Sequence, residues 1–218
     1  MALTVLYEDN HVIAVYKPSG VLTQGDKSGD PNLMDEVKAY LKEKYKKPGN
    51  VFLGLVHRLD RPVSGIVLFA KTSKGASRLS EQFRDHAIEK TYHALVIGKP
   101  NASTLINYLT KDKAQRKAHV REERGQRAEL EYEVVAQYGA YSLVKILLKT
   151  GRFHQIRAQF SFAGFPVLGD VKYGAPSALP DKSIALCATS IAFTLPTQNE
   201  RKTISVPIPQ EWSVYAKS

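Results

Sequence analysis

Apolar residues along the 218-residue chain fall into short runs that switch irregularly between the period of a strand and that of a helix. Residues 12–16 (Val-Ile-Ala-Val-Tyr) read as a strand closed by the turn Lys17-Pro-Ser-Gly20. Leu33, Val37, Leu41 and Tyr45 recur at every fourth position, which predicts a helix. Asp30-Pro31 opens it, because Asp accepts from free amides and Pro suits a first turn; Pro48-Gly49 ends it. Residues 66–70 read as a buried strand. Ser73 stands where a second helix needs its cap, with Ala76, Leu79 and Phe83 on one face. Residues 92–97, 130–136 and 141–148 read as strands, the last two flanking a hairpin turn at Gln137-Tyr-Gly-Ala140. A third helix, about 154–163, follows Gly151 and stops at Gly164 and Pro166.

Helices and strands in this order predict an α+β fold, a mixed and mainly antiparallel β-sheet flanked by helices. No repeat, low-complexity tract or long Pro/Gly linker divides the chain, so residues 1–218 are expected to form a single domain. Neither common glycine-rich phosphate loop is present, which disfavours a nucleoside triphosphatase or a dinucleotide-binding dehydrogenase.

Charge changes the picture. The chain carries 31 Lys+Arg against 21 Asp+Glu, a formal net charge of +10, which favours a polyanionic partner such as RNA or DNA. Hydrophobic residues at 43% and charged residues at 24% are ordinary for a globular protein and exclude a disordered tail. A single cysteine, Cys187, excludes a disulfide framework and suits a reducing compartment, so a cytoplasmic protein is expected. The N-terminus lacks a cationic start and reaches an acid at Glu8, unlike a signal peptide. The longest uncharged run, 183–199, is too polar to span a bilayer, so no membrane partner is expected. Nothing demands an oligomer, and a monomer is expected.

Three segments cluster polar residues on apolar scaffolding. In Val56-His-Arg-Leu-Asp-Arg-Pro-Val-Ser-Gly65, Asp60 stands between Arg58 and Arg61. Flanking arginines keep a carboxylate ionised and so able to act as a nucleophile; the alternative is an Arg–Asp pair bracing a loop. In Gly151-Arg-Phe-His-Gln-Ile-Arg157, Arg157 is a charge on an otherwise apolar helix and calls for an acid from elsewhere in the fold. In Glu89-Lys-Thr-Tyr-His-Ala94, Tyr92 opens a strand, where it can stack on a base or pack in the core. His57, His119 and His154 have no metal-ligand spacing, so no metal is expected. Between Lys111 and Arg127, seven basic residues face three acids. That segment is either a solvated connecting hairpin or a phosphate-gripping arm in which Arg116 and Lys117 contact RNA.

Together these segments resemble the RluA-type pseudouridine synthases, which isomerise uridine to pseudouridine in structured RNA. His57-Arg-Leu-Asp60 with Ser64-Gly65 and Ala70-Lys71 is similar to that family's central motif, and Lys17-Pro-Ser-Gly20 to its N-terminal one. Lys90-Thr-Tyr-His-Ala94 resembles its tyrosine motif. Thr150-Gly-Arg-Phe-His-Gln-Ile-Arg157, with Gly164-Phe-Pro-Val-Leu-Gly-Asp170 and Tyr173-Gly174, resembles its long C-terminal motif. The likeness runs in order from about Leu6 to Pro209. It departs at Val63, where the family usually has Thr, and at Gln24 and Gln159, near which it commonly has His.

The resemblance implies a pseudouridine-synthase catalytic fold with a central cleft, in its minimal form without an N-terminal accessory RNA-binding domain. It implies that Asp60 is the nucleophile, that Arg157 forms the ion pair holding Asp60, and that Tyr92 stacks on the flipped uracil and assists proton transfer. Arg58 would enter the space left by the extruded base. Arg61, Arg152 and His154, with Arg116 and Lys117, complete the candidate RNA contacts. The implied partner is ribosomal or transfer RNA, in a stem-loop. Turning a uracil and rejoining it through carbon 5 changes no oxidation state, so no cofactor is expected. The competing readings are an RNA-binding or ribosome-associated module without turnover, and a glycoside hydrolase, which would need a second working carboxylate.

Overall fold

Strand pairing begins with the apolar run at Val12. In the computed structural model β1 (Thr4–Glu8) lies antiparallel to β2 (Val12–Lys17), which places Ala14 opposite Tyr7. The structure describes residues 3–121 and 123–217; Met1 and Ala2 of the N-terminal reading, Glu122 of the charged segment, and Ser218 lie outside the described residues. The chain divides into two compact units, one of residues up to Ile88 with Ser190–Val206, the other of Glu89–Thr189 with the segment from Pro207. The sheets are mostly antiparallel and the helices few.

In the first unit, α1 (Leu33–Lys44) and the two-residue β3 (Gly54–Leu55) precede β4 (Ser64–Ala70), which pairs antiparallel with β2 and β3. Every residue of β4 is buried, so its continuous apolar run is that of a strand covered on both faces. α2 (Ser73–Arg84) then packs Leu79, Ala76 and Phe83 against Leu68 and Ile66, as its spacing predicts. Both helices start differently from expectation. The α1 cap is Asn32, whose side chain accepts from the Asp35 amide at 3.1 Å, while the Asp30 carboxylate goes to Arg61. The α2 cap is Thr72, one residue before Ser73, accepting from the Gly75 amide. α1 also ends early: Tyr45 caps it, Lys46 takes a positive φ of 47°, and Tyr45 is left exposed rather than buried.

Glu8 ties this unit together. Its carboxylate accepts from Lys44 at 2.7 Å, Lys71 at 2.6 Å, Tyr45 at 2.6 Å and Tyr40 at 3.1 Å. Burial pushes this carboxyl up, but the hydrogen bonds from Lys44, Lys71 and Tyr45 outweigh it and hold the group at about 2, below its ordinary 4.5. A depressed carboxylate stabilises the fold fully above its unfolded value and loses that contribution as pH falls. Glu8→Gln is expected to cost about 2 kcal/mol at pH 7. Thermal melts should show the gap between the two proteins closing as pH falls from 4.5 toward 2; a gap independent of pH would show that the charge contributes nothing.

In the second unit β5 (Glu89–Ile97), β6 (Ser103–Asp112), β7 (Lys117–Arg121), β8 (Gln126–Tyr138) and β9 (Tyr141–Leu148) form an antiparallel array in the order β5-β9-β8-β6-β7. The hairpin expected at residues 137–140 joins β8 to β9, with Tyr138 opposite Tyr141. Tyr92, Ile146 and Tyr132 stand side by side across three strands and share one face. On that face α3 (Gln155–Phe162) packs Ala158 with Leu109, Ala118, Ala128 and Tyr173. β10 (Leu186–Thr194) starts in this unit and runs into the first, where its residues from Ser190 pair antiparallel with β11 (Arg201–Ser205). Among the described residues no helix is long and apolar enough to cross a membrane.

Candidate active site

The Asp60 loop is held through its backbone. It runs from β3 to β4, with Leu59 and Val63 buried, Asp60 half-buried, and Arg58 and Arg61 exposed. Buried Thr23 clamps Leu59 from both sides: its hydroxyl donates to the Leu59 carbonyl at 2.9 Å and accepts from the Leu59 amide at 3.2 Å. The Val63 amide closes a turn on the Asp60 carbonyl at 3.1 Å. The Arg61 carbonyl accepts from the Gly20 amide at 2.8 Å, and Gly20 reaches it with a φ of +82° that a side chain would strain.

Beneath the loop lies Lys17, whose side chain is wholly buried. Its ammonium donates to the carbonyls of Pro18 at 3.0 Å, Val21 at 2.8 Å and Arg61 at 3.2 Å, three acceptors for three protons. Burial pulls this lysine down to about 7, against the pull of the Asp60 carboxylate, which favours its charged form. Arg61 is engaged elsewhere, its Nε donating to the Gly20 carbonyl at 2.9 Å and its Nη1 to Asp30 at 2.7 Å. It therefore braces the Lys17-Pro-Ser-Gly20 turn. His57 is structural too: its Nε2 accepts from the Leu68 amide and its ring lies against Phe83.

In the second unit Arg157 does find an acid. Nε and Nη2 donate to the two oxygens of Asp170 at 2.7 and 2.9 Å, a bidentate fork with Arg157 at 5% and Asp170 at 1% exposure. The guanidinium also lies over the Tyr173 ring, 4.9 Å from its centre. Asp170 follows the end of α3 by a short loop and is held by its own backbone, its carbonyl accepting from the amides of Tyr173 and Ala175. Asp170 was not singled out from its chemistry, although the demand for a buried acid near Arg157 was the signal that leads to it. Tyr92 is buried in β5, at the face it shares with Ile146 and Tyr132.

His154 is drawn inward. It caps α3 in the left-handed region, φ 52°, stacks on Phe153 at 3.8 Å and shares a 2.9 Å hydrogen bond between Nδ1 and the Tyr173 hydroxyl. The Ala118 amide donates to that same hydroxyl at 2.7 Å. Burial first, then the Arg157 and Lys172 cations, push this imidazole down to about 3. It is neutral at working pH and offers no cation to a phosphate. Lys117 places its ammonium over the Tyr173 ring and Lys111 over the Phe153 ring, so both help to fasten the hairpin to α3. Arg116, at the hairpin tip with φ 47°, remains exposed. Arg152 donates from Nε to the Arg127 carbonyl at 3.0 Å.

A sequence profile described as RNA pseudouridylate synthase matches residues 11–162, which takes in the Asp60 loop, Tyr92 and Arg157. Ribosomal large subunit pseudouridine synthase D of Borreliella burgdorferi is 34% identical over 79% of this chain; the chain spans 55% of that relative's length. The tRNA pseudouridine synthase C of Haemophilus ducreyi is 31% identical over 98% of this chain and 94% of its own. Among solved structures, human RNA pseudouridylate synthase domain containing 4 superposes with a TM-score of 0.78 at 23% identity, covering 98% of this chain and 91% of that one. At that identity the likeness speaks for the fold.

Proposed function

Because the chain belongs to the RNA pseudouridylate synthase family, we propose that it isomerises uridine to pseudouridine in structured ribosomal or transfer RNA, with Asp60 as the nucleophile. The observation that carries the reading is the Asp60 loop: a half-buried carboxylate on a turn whose neighbours are pinned through Thr23, Gly20 and Lys17. Catalytic groups work when their approach is fixed before the substrate arrives. A pure binding module gains nothing from holding one acid this way.

In this reading the target uridine leaves its stack, at a cost of a few kcal/mol, and exposed Arg58 fills the gap. The glycosidic bond from ribose carbon 1′ to uracil N1 breaks, the base turns, and carbon 1′ joins carbon 5. Carbon 5 gives up its proton and N1 regains one, so atoms and electrons balance without a cofactor. Asp60 acts as an anion at the ring or the sugar. Tyr92 stacks on the uracil and its hydroxyl assists the proton transfer. Arg157, which Asp170 holds in place, is the cation proposed to orient the nucleophile. Residues 1–218 work as one catalytic module, as a cytoplasmic monomer; the family match running from one unit into the other supports the single module.

Ribosomal and transfer RNA transcripts carrying tritium at uracil carbon 5 test this directly. The wild-type protein should release tritium from one class, which identifies the substrate. Absence of release from every transcript, with RNA still bound, would return the chain to the binding-module reading. Tyr92→Phe keeps the ring and removes the hydroxyl, so it should bind RNA normally and release tritium more slowly, by about 10²-fold. An unchanged rate would leave Tyr92 with stacking alone.

A further inference from the structure

We propose that the face of the second unit's sheet turned away from Tyr92 carries a stacking site for unpaired nucleotides of RNA, formed by Tyr108 between Arg121 and Arg127. The register places the three in one row: Tyr108 of β6 is opposite Arg121 of β7 on one side and opposite Arg127 of β8 on the other. Directly paired residues of antiparallel strands project from the same face. Their neighbours Leu109 and Ala128 project from the other face, where they are buried with Ala158 of α3. The row is open. Tyr108 is 37% exposed, Ile106 beside it is 52% exposed, and both arginines are exposed.

An aromatic ring between two guanidiniums matches a nucleotide, with its base against the ring and a phosphate on either side. The span from β7 to β8, about 10 Å from two inter-strand spacings, suits that footprint. Arg127 is paired with half-buried Glu129, but the arginine itself is exposed and its guanidinium can turn to a phosphate. Further along the same face, Glu131 is neutralised by Lys149 at 3.1 Å and Glu133 by Lys145 at 2.9 Å. Those two acids therefore do not offset the arginines of the row. Base pairs hide their ring faces inside the duplex, so the occupant is a looped or single-stranded segment. The site lies on the opposite face from Tyr92 and takes no part in the reaction; it contributes affinity. As a reading of how substrate RNA is held, it rests on the function proposed above.

The test uses fluorescein-labelled oligouridine, read by anisotropy over a salt series, beside tritium release from the active transcript. Tyr108→Ala should weaken oligouridine binding about tenfold, and Tyr108→Phe should restore it, because the ring face is what stacks. Arg121→Gln with Arg127→Gln should lower the slope of log affinity against log salt by about 1.4, at ~0.7 per neutralised phosphate. For all of these variants KM should rise with kcat unchanged. Oligouridine binding that Tyr108→Ala leaves unaltered, or wild-type protein that does not bind it, overturns the site. If the variants weaken binding while the wild type releases no tritium anywhere, the site stands and the catalytic reading falls. Melting temperatures close to wild type should accompany every variant, and a Tyr108→Ala loss that appears only with a lowered melting temperature and is not rescued by Phe counts against the site.

Discussion

Asp60→Ala is expected to abolish tritium release, by at least ~10⁴-fold in kcat, while RNA affinity stays within a few fold. The size follows from the role: a removed nucleophile has no substitute, since the groups that orient it cannot form its bond. The specificity follows from the loop. What fixes this turn is backbone, through the Asp60 and Arg61 carbonyls and the Thr23 clamp on Leu59, and none of it uses the Asp60 carboxylate. Truncation at Cβ should therefore leave the turn, and with it the exposed Arg58, where they are. A local cost falls on Lys17, which loses the nearby anion that favours its charge. Asp60→Asn, nearly isosteric and uncharged, should be as inactive as Ala. Turnover by Asp60→Asn near the wild-type rate would sink the nucleophile assignment, and loss of RNA binding in both variants would mean that the carboxylate shapes the binding surface instead.

How much of this was legible beforehand varies with how local the cause is. The strand at Val12, the helix face of Leu33, Val37 and Leu41, and the hairpin between β8 and β9 are set by patterns within a few residues, and each appears where expected. β10 is hidden inside the uncharged run 183–199, because nearly all of it is buried and it lacks the alternation that marks a half-exposed strand. β6 and β7 are polar on their open face and carry charges at their ends, so their run reads as a charged connection. The caps shifted for a reason that no local pattern contains: Asp30 is claimed by Arg61, thirty-one positions away, and Asn32 takes over the helix. The same holds at the site. Asp60 and Arg157 stand out in the sequence, but their supports, Lys17 with its carbonyls and Asp170, are known only once the chain has folded. His154 too has an environment that no local pattern contains, since burial and the nearby cations keep it neutral while its ring bonds Tyr173.

Removing Asp170 should be the most damaging single change to stability. Asp170→Ala takes away the two oxygens that Arg157 Nε and Nη2 now reach, and breaking a buried ion pair from one side costs about 3–5 kcal/mol. For a chain of this size that lowers the melting temperature by roughly 10 °C. Asp170→Asn keeps the shape and one acceptor, and should fall between Ala and wild type. The pair is not simply additive, because part of the penalty belongs to the charge that stays behind. Arg157→Met removes the charge and keeps a long side chain to pack on the Tyr173 ring. Arg157→Met with Asp170→Leu should then be more stable than Asp170→Ala alone, though inactive if Arg157 orients the nucleophile. Denaturant melts of wild type, Arg157→Met, Asp170→Leu and the double variant give the coupling, and tritium release well below the melting temperature separates positioning from stability. A fall of under ~0.5 kcal/mol for Asp170→Ala would place Arg157 in a wetter site than its burial indicates. Full activity in a folded Asp170→Ala would show that Arg157 does its work without this fork.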